Sequence, residues 1–155
     1  MAIKRADFPL PDLTDERTAP FFDGAARGEL VLPRCDTCES LAWYPMTTCD
    51  RCGGTSFTWT TVRGTGRVFS WTVVERAFLP AFEDRVPFVS GLVALDDDPR
   101  VRIVSYVVDC EPASLTVDQP VVVSFRPLRF PTVPDHEVVV PMFEPARERS
   151  QGRPT

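Results

Sequence analysis

The sequence predicts a mainly β protein in which one N-terminal helix and a small cysteine-bound ribbon precede a five-stranded barrel. Three observations support this: two Cys-x2-Cys pairs, repeated short segments rich in β-branched and aromatic residues after Gly64, and one helical pattern near the N-terminus. The chain has 155 residues, 43% of them hydrophobic, so it can bury one ordinary core and a small appendage.

The helix is predicted between residues 14 and 34, after an arm whose prolines disfavour regular structure. Thr18 is suited to the N-cap, Pro20 fits the first turn, where a missing N–H costs little, and Gly28 suits the C-terminal end. Because the apolar face covers only about two turns, the helix needs packing to stay folded. That face consists of Phe21, Phe22, Ala25 and Ala26.

The barrel is predicted from five strand-like segments and the absence of a second helical pattern. The acidic run Asp96–Asp98 followed by Pro99 is typical of a turn between the second and third strands. Five short strands favour a small Greek-key barrel, of which the OB-fold is the five-stranded member. We expect the strands at 67–76, 87–95, 101–109, 121–126 and 137–143.

Four cysteines form two pairs separated by ten residues and predict a metal site: Cys35, Cys38, Cys49 and Cys52. Two such pairs complete a tetrahedral shell of four sulfurs, and a closed shell is structural, since it leaves no open position for substrate. Zn(II) is the expected ion, and iron in a rubredoxin-like centre is the main alternative. Two disulfides are a weaker alternative, because no export signal opens the chain and reducing compartments keep thiols free. We therefore expect a cytoplasmic location.

We divide the chain into four parts on these grounds. They are an N-terminal arm and helix (1–29), a zinc ribbon (30–62), an OB-fold (63–145) and a flexible tail (146–155).

No set of residues combines a nucleophile with a base, so we predict no catalytic residues and a binding module. Cys110 is interpreted as a small hydrophobe at the end of a strand, and the single histidine, His136, as an exposed loop residue. A CoA thioesterase would need turnover by the isolated chain, which we do not expect.

Two proline-stiffened apolar loops are the candidate partner surface. In an OB-fold the loops after the first and fourth strands lie at the same end; here they are 77–85 and 127–134. Exposed apolar side chains there would mark a protein interface or an acyl groove, whereas the alternative is that they fold back and plug the barrel. The candidates are Phe78, Leu79, Phe82 and Phe130.

Four arginines near the ribbon are candidates for binding the phosphates of a small ligand, although solvated surface arginines are an equally good interpretation. A nucleic-acid partner is disfavoured: the formal charge is −5, and residues 67–155 hold ten arginines against 13 acidic residues. No apolar run is long enough to span a membrane, and we expect no membrane partner. The candidates are Arg34, Arg51, Arg63 and Arg67.

These parts, in this order, resemble one protein family. The similar motifs are Gly28-Glu29-Leu30, Pro33-Arg34-Cys35-x2-Cys38, Pro45, Cys49-x2-Cys52-Gly53, Gly64-Thr65-Gly66-Arg67-Val68, Ser70-Trp71-Thr72-Val73-Val74 and Pro87-Phe88. The chain resembles, over residues 14–126, the acyl-CoA-associated OB-fold proteins with an N-terminal rubredoxin-like zinc ribbon, known as domain of unknown function 35. Phe21-Phe22 stands where the family often has Phe-Trp.

The resemblance implies an accessory role beside thiolase-superfamily enzymes. Members bridge thiolases to another CoA enzyme, or bind thiolase-like aldolases that shorten steroid side chains carried on CoA. The segment 125–131 is more similar to the aldolase partners, so the resemblance implies a non-catalytic subunit that binds an aldolase and helps form the CoA-substrate channel. Acyl-CoA is a possible ligand. Such partners are often fused to a hydratase domain, so we expect a stand-alone subunit or an excised domain.

Overall fold

The structure, a computed structural model, describes residues 8–147, so the first seven residues of the predicted arm and residues 148–155 of the predicted tail lie outside the described residues. In that part of the chain no helix is long and apolar enough to cross a membrane. The elements are α1 (Ala19–Ala26), β1 (Leu30–Cys35), β2 (Phe57–Val62), β3 (Thr65–Val74), β4 (Phe88–Leu95), β5 (Arg102–Val107), β6 (Pro120–Leu128) and β7 (Val138–Pro145), with short 3₁₀ turns at Pro80–Phe82 and Pro112–Ser114.

Helix α1 begins and ends close to where the sequence predicts. Thr18 occupies the N-cap position, but its side chain makes no capping hydrogen bond. At the other end the Glu29 N–H donates to the Gly24 carbonyl (2.9 Å) and the Gly28 N–H donates to the Ala25 carbonyl (3.0 Å). With Gly28 at φ 77°, these two bonds form a Schellman motif, which satisfies helix carbonyls that would otherwise lack partners.

The ribbon contains a two-stranded sheet that the sequence analysis did not predict. Strands β1 and β2 pair antiparallel, from Leu30 opposite Val62 to Cys35 opposite Phe57. Strand β1 is hard to predict from the sequence for two reasons. Five of its six residues are buried, so polar and apolar residues do not alternate along it, and Pro33 lies in its middle.

The five predicted barrel strands are confirmed, and they form a closed barrel in the order β3-β4-β5-β7-β6. The predicted acidic turn joins β4 and β5, where the Val101 N–H donates to the Asp98 carbonyl (2.9 Å). Closure between β5 and β7 is minimal: the two strands run parallel and pair at one position, Val107 with Phe143.

Helix, ribbon and barrel share one core. Leu30 and Leu32 of β1 and Phe21 of α1 belong to the same buried cluster as residues of the barrel. The ribbon therefore lies on the barrel through apolar contacts and not only through the chain that links them. The barrel members of this cluster are Val68, Val93, Leu95, Val101, Ile103, Val121 and Phe143.

Candidate metal centre and apolar cleft

The two Cys-x2-Cys segments fold into turns of the same design. In the first turn the Glu39 N–H donates to the Cys35 carbonyl, and in the second the Gly53 N–H donates to the Cys49 carbonyl, each at 2.9 Å. The donating residue has a positive φ in both turns, 58° at Glu39 and 74° at Gly53. Each turn therefore carries its two thiols on one side of a tight loop, as a shared metal requires.

The four thiols that the sequence singles out converge. All four sulfur atoms lie within 4.8 Å of one another. Two of the separations are 3.6 Å (Cys35 to Cys52) and 3.7 Å (Cys38 to Cys49). A tetrahedral ion with metal–sulfur bonds of about 2.3 Å places its ligands about 3.8 Å apart. The residues thus fit a structural metal ion, with Cys35 and Cys49 buried and Cys38 and Cys52 exposed.

Hydrogen bonds to the sulfurs prepare part of the site for ionised ligands. The Ser40 hydroxyl, 3.1 Å from the Cys38 sulfur, and the Ser40 N–H lower the pKa of Cys38 to about 6. The Cys38 and Thr37 N–H groups lower the pKa of Cys35. The Gly54 N–H favours the thiolate of Cys52, but the loss of water around its sulfur and the surrounding thiols raise the pKa of Cys52 to about 12. Metal binding releases the protons that these thiols still hold, because thiolates are the ligands.

Gly54 leaves the space that the sulfurs occupy. A Cβ at this position would lie 2.8 Å from the Thr37 hydroxyl oxygen and 3.2 Å from the sulfurs of Cys35 and Cys52. A side chain here would press directly on two of the four ligands.

The two apolar loops meet, as the sequence predicts, but their side chains divide between surface and core. Phe78 is 91% exposed and Leu79 is 46% exposed. Phe82 packs edge-on against Phe130 with ring centroids 5.2 Å apart, and the Arg85 guanidinium lies 4.4 Å above the Phe130 ring. The expectation that Phe130 is exposed is wrong, because it is 3% exposed within a second core cluster at the barrel end. Phe78 and Leu79 remain the candidates for partner contact.

Each of the four predicted arginines has an acceptor within the chain. Arg34 donates to the Glu39 carbonyl (3.0 Å) and Arg51 to the Ser40 hydroxyl (3.1 Å), so both hold the first cysteine turn. The other two lie elsewhere: Arg63 pairs with Asp97 (3.1 Å) and Arg67 donates to the Asp118 carbonyl (3.0 Å). Their role toward a ligand phosphate stays a prediction.

The two residues set aside as non-catalytic lie apart from the metal centre. His136 is exposed in the loop before β7. Cys110 is half-buried beside Val89, Val107 and Leu115, and burial raises the pKa of its thiol, which keeps it protonated.

An apolar cleft that the sequence did not predict opens beside the barrel. It has a volume of about 440 Å³ and lies between α1, the ribbon and the barrel, along the minimally paired strands β5 and β7. Its walls come from segments far apart in sequence, and only the aromatic content of those segments hinted at it. None of the lining residues is charged; they are Phe21, Phe22, Trp43, Phe82, Phe88, Ser90, Ile103, Val104, Ser105, Tyr106, Leu128, Val140 and Pro141.

The chain matches two protein families along its length. Residues 22–58 match the family described as the ChsH2 rubredoxin-like zinc ribbon domain, and residues 59–126 match the ChsH2 C-terminal OB-fold domain. These ranges contain the four cysteines and most of the barrel.

Relatives and solved structures agree with these matches. A probable enoyl-CoA hydratase alpha subunit of Thermomonospora curvata is 35% identical over 128 residues, 81% of this chain, and the chain spans only 36% of that relative's length. A DUF35 domain-containing scaffold protein of Methanocaldococcus jannaschii is 28% identical over 101 residues, 64% of this chain and 70% of the relative.

Among solved structures, the Ltp2-ChsH2(DUF35) aldolase matches with a TM-score of 0.72 at 29% identity and covers 87% of this chain and 98% of that chain. A DUF35 protein of unknown function from Sulfolobus solfataricus shares the fold, with a TM-score of 0.52 at 13% identity over 72% of this chain and 80% of that one. The chain belongs to the DUF35 family, with a zinc ribbon and an OB-fold domain of the ChsH2 type.

Proposed function

We propose that this chain is a non-catalytic subunit of an acyl-CoA carbon–carbon lyase, in which it binds a thiolase-fold aldolase and helps form the channel for the CoA substrate. The observation that carries the proposal is the structural match to the Ltp2-ChsH2(DUF35) aldolase over 98% of the matched chain. The similarity to a probable enoyl-CoA hydratase alpha subunit supports a place among CoA enzymes.

The proposed reaction is the retro-aldol cleavage of a steroid side-chain CoA thioester. The β-hydroxyl group loses its proton and becomes a carbonyl, the bond between the α and β carbons breaks, and its electron pair forms the thioester enolate. Protonation of that enolate at its α carbon gives a short acyl-CoA, and the fragment with the new carbonyl group leaves as the second product. We assign the acid and base to the aldolase partner, because the single histidine of this chain, His136, is exposed in a loop.

Phe78 and Leu79 are the residues we assign to partner contact. Both are exposed on the loop between β3 and β4, and burying exposed apolar side chains stabilises a protein interface. The formal charge of −5 supports a protein partner over a nucleic acid.

Zn(II) is the ion we propose for the four thiolates, in the reducing cytoplasm where such thiolates persist. Elemental analysis of the purified chain should find about one zinc per chain. A red protein that contains iron instead would contradict the assignment.

Co-expression with a thiolase-like aldolase tests the function. The two chains should purify together, and retro-aldol cleavage should need both. Phe78→Asp and Leu79→Asp should weaken the complex at least tenfold, since they place a charge in an apolar contact. Leu13→Asp is the matched control, because Leu13 is 47% exposed and Leu79 is 46% exposed. A chain that never co-purifies with the aldolase would refute the proposal.

A second candidate is a scaffold that passes acyl-CoA between a thiolase and another CoA enzyme. The similarity to DUF35 scaffold proteins of Methanocaldococcus jannaschii and Methanothermobacter thermautotrophicus favours it. Co-purification of two different CoA enzymes with this chain would distinguish it from the aldolase subunit.

A further inference from the structure

The four sulfurs of the metal centre form two pairs, each with one exposed and one buried member. The sulfur of exposed Cys52 lies 3.6 Å from that of buried Cys35. The sulfur of exposed Cys38 lies 3.7 Å from that of buried Cys49. An oxidant from solvent reaches the exposed sulfurs first, and a neighbouring thiolate can then close a disulfide. Exposure alone therefore leaves two candidate sites of attack, Cys52 and Cys38.

Hydrogen bonds distinguish these two exposed sulfurs. Cys38 accepts from the N–H of Ser40 and lies 3.1 Å from its hydroxyl oxygen. Among residues 8–147, Cys52 accepts from one N–H group, that of Gly54, at 3.4 Å. A hydrogen bond to a metal-bound thiolate withdraws electron density from the sulfur and makes it a weaker nucleophile. Cys52 is therefore the less protected of the two.

Arg51 strengthens the bond from Ser40 to Cys38. Ser40 is 7% exposed, and its hydroxyl oxygen lies 3.1 Å from a guanidinium nitrogen of Arg51. Arginine can only donate, so the hydroxyl oxygen of Ser40 accepts from it. A metal-bound thiolate has no proton to give, so the hydroxyl donates to Cys38. The positive charge of Arg51 polarises this hydroxyl, and Cys52 accepts no hydrogen bond from a guanidinium in the described part of the chain.

We propose that Cys52 is a modification site, at which a peroxide oxidises the zinc-loaded centre, and that Cys35 is its resolving cysteine. With hydrogen peroxide, the Cys52 thiolate attacks one oxygen, so that a sulfur–oxygen bond forms, the oxygen–oxygen bond breaks and hydroxide leaves. The Cys35 thiolate then attacks the Cys52 sulfur, which forms the disulfide and releases a second hydroxide. Two protons from solvent turn both hydroxides into water, and the peroxide gains the two electrons that the thiolates lose.

Oxidation at this site removes two of the four metal ligands. The proposal rests on the zinc assignment made above, because four thiolates are what hold that ion. Cys35 is also the last residue of β1, whose Leu30 and Leu32 lie in the core shared with the barrel. Oxidation should therefore release zinc and lower the melting temperature of the whole chain. Dithiothreitol with added Zn(II) should restore both.

Trypsin distinguishes this disulfide from the competing one. Cleavage after arginine leaves one peptide, 35–51, with three of the four ligand cysteines and another, 52–63, with Cys52. Neither peptide contains a Lys or Arg before its last residue. A disulfide from Cys52 links the two peptides, whereas a disulfide between Cys38 and Cys49 stays within the first as a loop.

The test treats the zinc-loaded full chain with a substoichiometric amount of hydrogen peroxide and alkylates the remaining thiols. Mass spectrometry of the unreduced digest then identifies the linked cysteines. The Cys35–Cys52 link should exceed the Cys38–Cys49 loop at least tenfold, and zinc release should follow the link. A loop that equals or exceeds the link, or a centre that keeps its zinc in excess peroxide, would overturn the proposal. Either result would leave the zinc assignment and the aldolase proposal intact.

Three variants test the protection of Cys38. Ser40→Ala removes the donating hydroxyl, so the loop should rise at least tenfold relative to the link, whereas Ser40→Thr keeps a hydroxyl and the wild-type ratio. Ser56→Ala is the matched control, because the Ser56 hydroxyl donates to Asp36 in the same ribbon and not to a sulfur. Equal ratios in Ser40→Ala and Ser56→Ala would refute the role of Ser40. If Ser40→Ala failed to hold zinc, the ratio in the wild type would still decide the proposal.

Discussion

Two adjacent glycines at the metal centre should respond to substitution in opposite ways. Gly53 has a φ of 74° and open space around the position of a Cβ, so its constraint is the backbone. Gly54 has no such φ, but a Cβ there would meet the Thr37 oxygen at 2.8 Å and two ligand sulfurs at 3.2 Å. Gly54 is therefore required because there is no room for a side chain at this position.

The expected magnitudes follow from these two causes. At Gly54 an alanine forces the sulfurs to move by a few tenths of an ångström, and overpacking of this kind costs about 1–3 kcal/mol, or about a 5- to 150-fold loss of metal affinity. At Gly53 an alanine costs about 1–2 kcal/mol because an L side chain disfavours the left-handed region. Asparagine tolerates that region better than other residues, so Gly53→Asn should be milder than Gly53→Ala.

Asparagine is also larger than alanine, so at Gly54 it should be the more harmful substitution. The assay is a competition for Zn(II) with a chromophoric chelator, carried out on both Ala and both Asn variants alongside thermal unfolding. At Gly53 the Asn variant should bind Zn(II) more tightly than the Ala variant, and at Gly54 it should bind more weakly. If Asn were milder than Ala at both, or if Gly54→Ala bound zinc as the wild type does, the steric argument would be refuted.

Two further predictions concern metal removal and pH. Stripping the ion with a chelator should lower the melting temperature of the whole chain in one transition, because Leu30 and Leu32 of the ribbon lie in the shared core; two separate transitions in circular dichroism would contradict this. The Arg126 guanidinium lies 2.5 Å from the Asp109 carboxylate and lowers the pKa of that carboxyl. The ion pair therefore stabilises the fold fully above the unfolded pKa of about 3.9, and this stabilisation is lost as the pH falls through the lower pKa of the folded state. The urea midpoint of Asp109→Asn should therefore lie below that of the wild type at pH 7 and approach it in acid; a constant difference across this range would reject the assignment.

Local chemistry made the metal ligands, the helix and the barrel strands predictable. Cys-x2-Cys spacing places two thiols on one ion whatever the rest of the chain does, and Pro20 and Gly28 mark helix ends through their own backbone limits. The barrel strands follow from β-branched and aromatic runs broken by turn residues such as Asp98 and Pro99.

What the sequence did not reveal depends on contacts between distant residues. Strand β1 is buried along nearly all its length and carries Pro33, so it lacks the alternation that identifies a strand. The burial of Phe130 could not be predicted from its place in a loop, because it depends on contacts with Phe82 and Arg85. The partner of Arg63 lies 34 residues away at Asp97, and the cleft needs Phe22, Trp43 and Tyr106 at once. Residue spacing along the chain does not predict contacts of this kind.

The placement of β1 against the barrel limits how this protein can be dissected or recombined. Leu32 has no exposed surface, and Leu30 has 2%. A fragment that starts after β2 would therefore uncover the barrel residues that now contact these leucines, and we expect it to aggregate. For the same reason a ribbon taken from a relative would fit only if it carried side chains of matching shape at both leucine positions. A chimaera should therefore be joined before α1 and not in the short linker between β2 and β3.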